Sequence, residues 1–171
     1  MVLGFRNDPE LNRWFLLTEV EPESFRSRWL AAAEDPDEIS LVAVAGDTII
    51  GTGGLDRSDC MGQGMGRPDA DRLPWHRAHG SIGYMIAPGH AGQGYATEIV
   101  KELLALAFGD LGLHRVTAGC FADNIASWRV MEKAGMRREQ HGVKDSWHAE
   151  LGWVDGYTYG VLAEEWRRAR D

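Results

Sequence analysis

The stretch "YMIAPGHAGQGYATEIVKELLALAF", residues 84–108, carries three glycines within six residues, between an apolar run and a long amphipathic segment. The apolar residues of that segment recur at helical spacing from Ala96 to Phe108, which predicts a helix that begins near Gly94. The first N–H groups of a helix have no partner inside it, and the helix dipole places partial positive charge there. Because Gly92 and Gly94 carry no side chain, an anion can approach these N–H groups closely. The stretch therefore predicts a phosphate-binding turn.

The spacing of this turn excludes two well-known phosphate loops. Thr97 stands where a dinucleotide-binding G-x-G-x-x-G fingerprint has its third glycine. Tyr95 and Ala96 stand where a P-loop has its lysine and its Mg²⁺-binding hydroxyl. A nucleotide-phosphate enzyme of either kind is therefore excluded. From the glycines alone, a turn that merely links a strand to a helix is the open alternative.

Composition restricts the class of protein. A length of 171 residues suits a single domain, residues 1–171, with one hydrophobic core. The net charge of −8 and the lack of a basic stripe argue against a nucleic-acid partner. The start has no signal-peptide pattern and no apolar run is long enough to cross a bilayer, so we expect no membrane association and a cytoplasmic protein. Cys60 and Cys120 have no zinc-type spacing, so we expect no metal.

The order of predicted elements indicates the fold class. Three strands, a helix, a strand, a helix and two strands favour an α/β fold with a mixed sheet. We expect the helix of residues 93–108 to connect parallel strands. On the strand before it, His79, Ser81, Gly83 and Met85 are predicted to share one face. Residues 56–76 are polar and rich in glycine and proline, which predicts a flexible surface insert.

Two motifs resemble a known family. "GYMIAPGHAGQGYATEIVKELLALAF" and "FADNIASWRVMEKAGM" are similar to the Gcn5-related N-acetyltransferase (GNAT) superfamily, most of all to its RimJ/RimL-like branch. That branch shows a G-Y-x-[IL] strand, a G-x-G-x-[AG]-T-E turn and an N-x-x-S-x-x-[VL]-x-E-K-x-G-F helix. The resemblance covers roughly residues 36–167. It implies a mixed, largely antiparallel twisted sheet flanked by helices.

The chain departs from the family pattern at three places. Ala91 opens the turn where the superfamily has Arg or Gln, and Ser81 stands where the branch often has a glutamate two residues before the G-Y pair. The family's usual first strand has almost no residues in front of "FRNDPELNR". A sheet edge without that strand favours pairing with another chain, and Trp147 and Trp153 in the last hairpin could line a dimer surface. We therefore predict a homodimer.

The resemblance implies an enzyme that uses acetyl-CoA as acyl donor and a primary amine as acceptor, either a protein N-terminus or a small amine. The acetyl group would pass by direct attack in a ternary complex. Two alternatives stay open. The first is a non-catalytic acyl-CoA-binding module, and the second is transfer of a longer acyl group such as succinyl.

The resemblance also implies the coenzyme site. The backbone of the strand would pair with the pantetheine, the amides of the turn would hold the pyrophosphate, and Asn124 would bind the pantetheine arm, although it also reads as a plain helix N-cap. The residues so implied are Met85, Ile86, Ala87, Ala91, Gly92, Gln93, Gly94, Tyr95, Ala96, Thr97, Asn124 and Ser127.

The catalytic groups are less defined by the sequence. Ser127 lies one helical turn after Asn124 and would meet the departing sulfur, unless it is simply an exposed first-turn residue. His79 would replace the missing glutamate as general base, unless it is a surface or core histidine. Glu150, together with the hairpin residues Asp145 and Asp155, is the other source of a base. In many relatives a tyrosine supplies the acid, but residues 122–135 contain none.

Overall fold

The computed structural model describes residues 2–63 and 73–170. From β1 onward the elements follow the predicted order of three strands, a helix, a strand, a helix and two strands. The helices are α1 Val2–Arg6, α2 Pro9–Asn12, α3 Pro22–Ala32, α4 Tyr95–Ala105, α5 Ile125–Lys133 and α6 Ala163–Arg168, and a π-helical turn, Leu106–Asp110, continues α4. The strands are β1 Glu38–Ala45, β2 Thr48–Ser58, β3 His79–Ile86, β4 Arg115–Phe121, β5 Arg137–His148 and β6 Gly152–Leu162.

The strands form one six-stranded sheet in the order β1-β2-β3-β4-β6-β5. All neighbouring pairs are antiparallel except β3 and β4, which the helix α4 connects and which run parallel. This confirms the predicted mixed, largely antiparallel sheet. β3 and β4 pair only through residues 79–81 and 115–117. From Ile82 onward β3 has no partner on that side among the described residues, so the sheet is split between β3 and β4.

The two faces of the sheet are covered differently. The helix face packs against α4 and α5, and its core includes Leu55, Ile82, Leu103 and Val116. The other face carries His79, Ser81, Gly83 and Met85, as predicted from strand alternation, and we call it the open face. The N-terminal helices lie against β1 and β2. Over the described residues 2–37 the chain forms helices and no strand.

Two predicted boundaries were wrong. Residues 56–58 of the expected flexible insert belong to β2, because the register pairs Asp56 with Ser81 and Ser58 with His79. Backbone pairing thus extends the strand into a polar stretch, and residues 64–72 of the insert lie outside the described residues. The helix expected to begin at residue 93 begins at Tyr95, because Gly94 has φ +94°, which no helix continues. No helix in the described part of the chain is long and apolar enough to cross a membrane.

Candidate active site

The split between β3 and β4 leaves main-chain groups of β3 available to a ligand. The Ala87 N–H donates to the Ile50 carbonyl on β2 (2.7 Å), and the Ala78 carbonyl accepts from His114 beside β4 (2.8 Å). Since successive residues of a strand point their N–H and C=O to opposite sides, Tyr84 and Ile86 direct theirs into the split. The main chain of Met85 is turned toward β2. An extended ligand can therefore pair with Tyr84 and Ile86. Of the three strand residues expected to pair with pantetheine, Met85, Ile86 and Ala87, only Ile86 directs its main-chain groups into the split.

The glycine turn follows directly after the open end of β3. Gly89, Gly92 and Gly94 have φ values of +84°, +76° and +94°, a backbone conformation that favours glycine. A Cβ atom added at any of the three would meet no protein atom within 4 Å. The glycines are thus required by the left-handed backbone of the turn, and the space in front of it is open. The Gln93 side chain, which donates to the Gly89 carbonyl (3.2 Å), braces the loop.

The start of α4 presents free donors toward that space. The Gly94 carbonyl accepts from the N–H groups of Thr97 (2.9 Å) and Glu98 (3.2 Å), so the Thr97 amide is occupied within the helix. Gly94 is the N-cap and offers no side chain to the first turn. The N–H groups of Tyr95 and Ala96 precede the first internal partner of the helix. Together with the helix dipole they form an anion site at the end of the split.

Helix α5 places Asn124 and Ser127 on the other wall of the split, after β4. The Asn124 Oδ1 atom accepts from the Ser127 N–H (3.2 Å), so Asn124 is the helix N-cap. This cap occupies the amide oxygen of Asn124 and leaves its NH2 group as a donor. Both predicted readings of Asn124, cap and ligand contact, are therefore compatible in one side chain.

A tyrosine that the sequence reasoning did not single out crosses the split. The Tyr84 hydroxyl donates to the Ser127 carbonyl (2.9 Å) and lies 3.0 Å from Ser127 Oγ. Burial raises the pKa of Tyr84 to about 12, so the phenol stays protonated at neutral pH. Strand alternation alone places Tyr84 on the face opposite His79, but its contact with Ser127 depends on how α5 packs. The structure thus brings a phenol and a serine hydroxyl together at the wall of the split.

Cys120 lies beside this hydroxyl pair on β4. Burial raises the pKa of the Cys120 thiol to about 11, and a hydrogen bond with Ser127 offsets this in part. A thiol that stays protonated is a poor nucleophile. Cys120 packs partly against the hydrophobic core, as expected for a small buried residue.

His79 lies apart from Ser127. Its ring nitrogens lie 3.1 Å from the Ser58 hydroxyl and 2.9 Å from the Thr117 hydroxyl, at the closed end of the split. Burial, followed by the charge of Arg115, lowers the pKa of His79. His79 and Tyr84 are five residues apart, about 16 Å along a strand, and on opposite faces. The structure therefore does not bring His79 and Ser127 together, and His79 as base stays a prediction without geometric support.

Glu150 lies in the exposed turn between β5 and β6. Its carboxylate pairs with Arg13 (3.1 Å), which ties the turn to the N-terminal segment. Of the alternatives named with it, Asp155 accepts from the Lys144 N–H and lies 2.6 Å from His141, and these partners lower its pKa. Each of these contacts holds the hairpin, and none brings a carboxylate to the split. Glu150 as base likewise stays a prediction.

The open face forms a trough beside the split. The trough consists of Gly54, Asp56, Ser81, Gly83 and Gly119, which are exposed or half-exposed. A Cβ at Gly83 would meet nothing within 4 Å, and one at Gly54 or Gly119 would touch only a carbonyl oxygen at 3.7 Å. The trough is therefore a strip of largely bare backbone on the side of the sheet opposite α5.

An aromatic cluster borders the trough at the end of β4. The His148 ring lies 5.2 Å from the Trp14 ring and 5.1 Å from the Phe121 ring. His148 is only 2% exposed, and its Nδ1 accepts from two N–H groups of the β5–β6 turn. The N-terminal segment and the last hairpin thus meet there and close one side of the trough. Among residues 2–63 and 73–170 no cluster of three or more His, Cys, Asp or Glu is arranged to hold a metal ion.

Comparison with known sequences identifies relatives. The model of the family described as "Acetyltransferase (GNAT) domain" matches residues 1–137. The uncharacterized N-acetyltransferase YnaD of Bacillus subtilis (strain 168) is 41% identical over 85 residues, which are 50% of this chain and 49% of that protein. The chain spans about half the length, or less, of the first curated relatives it matches.

Solved structures share the fold. Spermidine N-acetyltransferase from Vibrio cholerae, in complex with CoA and spermine, superposes with a TM-score of 0.78 at 18% identity, over 96% of this chain and 89% of that chain. Ribosomal-protein-S5-alanine acetyltransferase from Vibrio fischeri superposes with a TM-score of 0.76 at 20% identity, over 96% of this chain and 87% of that chain. At these identities the likeness shows the fold. The family match over residues 1–137 shows that the chain belongs to the GNAT acetyltransferase family, in its RimJ/RimL-like branch.

Proposed function

We propose that the protein transfers an acetyl group from acetyl-CoA to a primary amine by direct attack in a ternary complex. The observation that carries the proposal is the alignment of two features: the split between β3 and β4 ends at the glycine turn and the start of α4. A coenzyme with an extended amide arm and a pyrophosphate fits both at once, because the arm needs strand-like partners and the pyrophosphate needs N–H donors.

Both backbone groups and side chains contribute to the proposed acetyl-CoA site. The pyrophosphate lies on the amides from Ala91 to Ala96, and the pantetheine runs along Tyr84 and Ile86. The NH2 group of Asn124 donates to the pantetheine arm from the other wall. Since these contacts use backbone groups, the absence of an Arg or Gln at Ala91 weakens the phosphate site without removing it.

The two hydroxyls that meet across the split, those of Tyr84 and Ser127, are proposed to stabilise the CoA sulfur as it leaves. When the amine has attacked, the departing sulfur carries negative charge that a nearby hydroxyl stabilises. Ser127 Oγ donates to that sulfur, and Tyr84 holds the Ser127 main chain in place (2.9 Å). With a pKa of about 12, Tyr84 acts as a fixed donor of a hydrogen bond and keeps its own proton.

The acceptor approaches along the trough on the open face. Relatives named for spermidine and for the alanine of ribosomal protein S5 show that one fold serves different amines. The acceptor of this protein is a protein N-terminus or a small amine. An α-amino group, with a reference pKa of about 7.7–8.0, loses its proton far more readily at neutral pH than a lysine-type amine of about 10.4. The chemistry therefore favours an α-amino acceptor.

Calorimetric titration with acetyl-CoA tests the coenzyme site. We expect micromolar binding by the wild type and no binding by Gly94→Glu, whose carboxylate would enter the phosphate site. Gly46→Glu is the matched control, because Gly46 also has positive φ (+59°) and open space but lies in the β1–β2 turn. Equal binding by wild type and Gly94→Glu would contradict the proposal.

Release of free CoA thiol then tests transfer. The acceptors are a peptide with an N-terminal alanine, spermine and ethylamine, each with acetyl-CoA and with succinyl-CoA. Thiol release with one of these amines supports the enzyme. Binding of acetyl-CoA without release for any amine would indicate a non-catalytic module, and a preference for succinyl-CoA would indicate the longer acyl group.

We also propose that the protein forms a homodimer. Trp147 and Trp153 are 62% and 59% exposed, and their rings contact each other across β5 and β6 at 5.4 Å. Two neighbouring large aromatic side chains in water form an unusual apolar patch for a monomer. The outer edge of β1 offers a second unpaired surface, since no other described strand lies beyond it.

A further inference from the structure

Direct attack requires a proton acceptor on the side from which the amine arrives. The amine is mostly protonated at neutral pH, so its nitrogen must lose a proton before it can attack. Both ring nitrogens of His79 are engaged by hydroxyls at the closed end of the split, and the Glu150 carboxylate pairs with Arg13. Ser81, which borders the split, has no basic group. If the protein transfers acetyl groups as proposed, another residue near the split must accept the proton of the amine.

The register of β2 and β3 places a carboxylate beside the split. Asp56 is the direct cross-strand partner of Ser81, and Ser81 pairs on its other side with Thr117, the last paired position before β3 and β4 separate. Neighbouring strands lie about 4.8 Å apart, and directly opposite Cβ atoms about 5 Å apart. Asp56 therefore lies one strand away from the edge of the split.

Asp56 points to the open face. Leu55, its neighbour on β2, is in the core under α4, and successive side chains of a strand alternate between the faces. The residues diagonal to Asp56 along the trough are Gly54 on its own strand and Gly83 on β3, which have no side chains. A Cβ added at Gly83 would meet no protein atom within 4 Å, so the surface over Gly83, between Asp56 and the split, is open.

Two other carboxylates of this region are already neutralised by partners. Glu139, on β5, pairs with Arg115 and with Arg137 (2.7 Å), and these arginines lower its pKa. Asp37 pairs with Arg77. A carboxylate paired with arginine holds a proton poorly and makes a weak base.

The surroundings of Asp56, in contrast, make its carboxylate a stronger base. Glu38 lies directly opposite it on β1, and His79 lies diagonal to it on β3. Partial burial, followed by the charge of Asp35, raises the pKa of Asp56. The acidic neighbours also attract an ammonium group to this part of the trough.

We propose that Asp56 accepts the proton of the acceptor amine, taking the place of an acid at Ser81. The ammonium gives one proton through water to the Asp56 carboxylate, and the neutral nitrogen attacks the thioester carbon. The N–C bond forms, the C–S bond breaks, and the second proton of the nitrogen ends on the CoA sulfur beside Ser127. Asp56 then returns its proton to solvent.

Asp56→Asn tests the proposal, because the change keeps shape and removes the base. With the fastest amine of the panel named above, we expect kcat at pH 7 to fall by about 100-fold or more while acetyl-CoA binding is unchanged. The wild type should lose kcat as the pH falls through the pKa of Asp56, and the variant should lack this acidic limb. Asp47→Asn, in the exposed β1–β2 turn, is the control and should match the wild type.

A second variant tests the position of the base. Asp56→Asn combined with Ser81→Glu places a carboxylate on the neighbouring strand. We expect the kcat of this double variant to be at least about tenfold higher than that of Asp56→Asn alone. A merely structural role of Asp56 predicts no such recovery and an unchanged acidic limb.

The outcomes distinguish a wrong proton acceptor from a wrong proposed function. If Asp56→Asn keeps wild-type kcat, or keeps the acidic limb, Asp56 is not the proton acceptor although acetyl transfer stands. If the wild type itself releases no thiol with any amine, the proposed function is wrong and the inference falls with it.

Discussion

Tyr84 shows how one side chain can connect two walls of a site. It comes from β3, but both hydrogen bonds of its hydroxyl are to Ser127 on α5. The pair spans the split at the level where the sulfur of the coenzyme is proposed to leave. The phenol of β3 and the hydroxyl of α5 thus meet although they come from opposite walls of the split.

Tyr84→Phe should lower kcat by about tenfold, which corresponds to one hydrogen bond of about 1–1.5 kcal/mol. The KM for acetyl-CoA should stay unchanged, because the Tyr84 hydroxyl is proposed to act through Ser127 on the departing sulfur and not on the bound coenzyme. Steady-state kinetics with varied acetyl-CoA measures both quantities.

Tyr159→Phe is the matched control for this prediction. The Tyr159 hydroxyl also donates to α5, to Glu132 (3.0 Å), but in the core and away from the split. It should lower stability and leave kcat unchanged. An equal loss of kcat in both variants would show that the effect comes from the anchoring of α5.

His79 makes stability depend on pH. Its pKa is lowered below 6.5 by burial, so between pH 6.5 and the folded pKa the unfolded chain binds a proton that the folded chain does not. The contribution is fully present above pH 6.5 and is lost as the pH falls from there through the folded pKa. Urea unfolding of the wild type and of His79→Gln at pH 7.5 and 5.5 measures it. The wild type should lose more stability than the variant, and equal losses would contradict the prediction.

At the scale of elements, the split exists because β3 and β4 are held together at one end only. Three residue pairs join them, and α4 and α5 then fill the helix face on either side. The glycine turn at the end of β3 leads directly into α4, so the first turn of α4 begins next to the open end of the strand. A strand pair that stayed paired to its end would leave no main-chain groups for a coenzyme.

The β5–β6 turn is a second element on which the site depends. His148 Nδ1 accepts from the N–H groups of Glu150 (3.1 Å) and Leu151 (3.3 Å), and its ring packs in the aromatic cluster at the end of β4. His148→Phe keeps the ring and removes the acceptor, so the free energy of unfolding should fall by about 1–3 kcal/mol.

Urea denaturation measures this change. His114→Phe is the control, because His114 is exposed and lies in the loop before β4. Its effect should stay within about 0.5 kcal/mol. A His148 variant as stable as this control would show that the turn does not depend on the His148 acceptor.

At the scale of the whole molecule, the proposed homodimer is open to a direct test. Light scattering at micromolar concentration should give twice the chain mass for the wild type. Trp147→Ser combined with Trp153→Ser should shift it toward the monomer, because the exposed pair is the proposed contact. Leu30→Ser, on the exposed side of α3 (58% exposed), should not change the mass. A monomer mass for the wild type would refute the dimer.

Local pattern was sufficient to predict much of this protein. Helical spacing predicted α4, and the reading of Asn124 as a helix N-cap predicted the start of α5. Strand alternation also predicted the shared face of His79, Ser81, Gly83 and Met85. These features depend on residues close in the chain, since helices and turns form from contacts within a few positions.

Only the tertiary structure decided which distant residues meet. The polar end of β2 is a strand because it pairs with β3, and that register sets Asp56 against Ser81, a contact between residues 25 positions apart. Tyr84 and Ser127 meet across 43 positions because α5 packs beside the split. Register and helix packing arise from burial of the whole core, which no short stretch encodes. The sequence by itself thus determined the family, the fold class and the glycine turn before α4, and the folded core decided which distant residues meet beside the split.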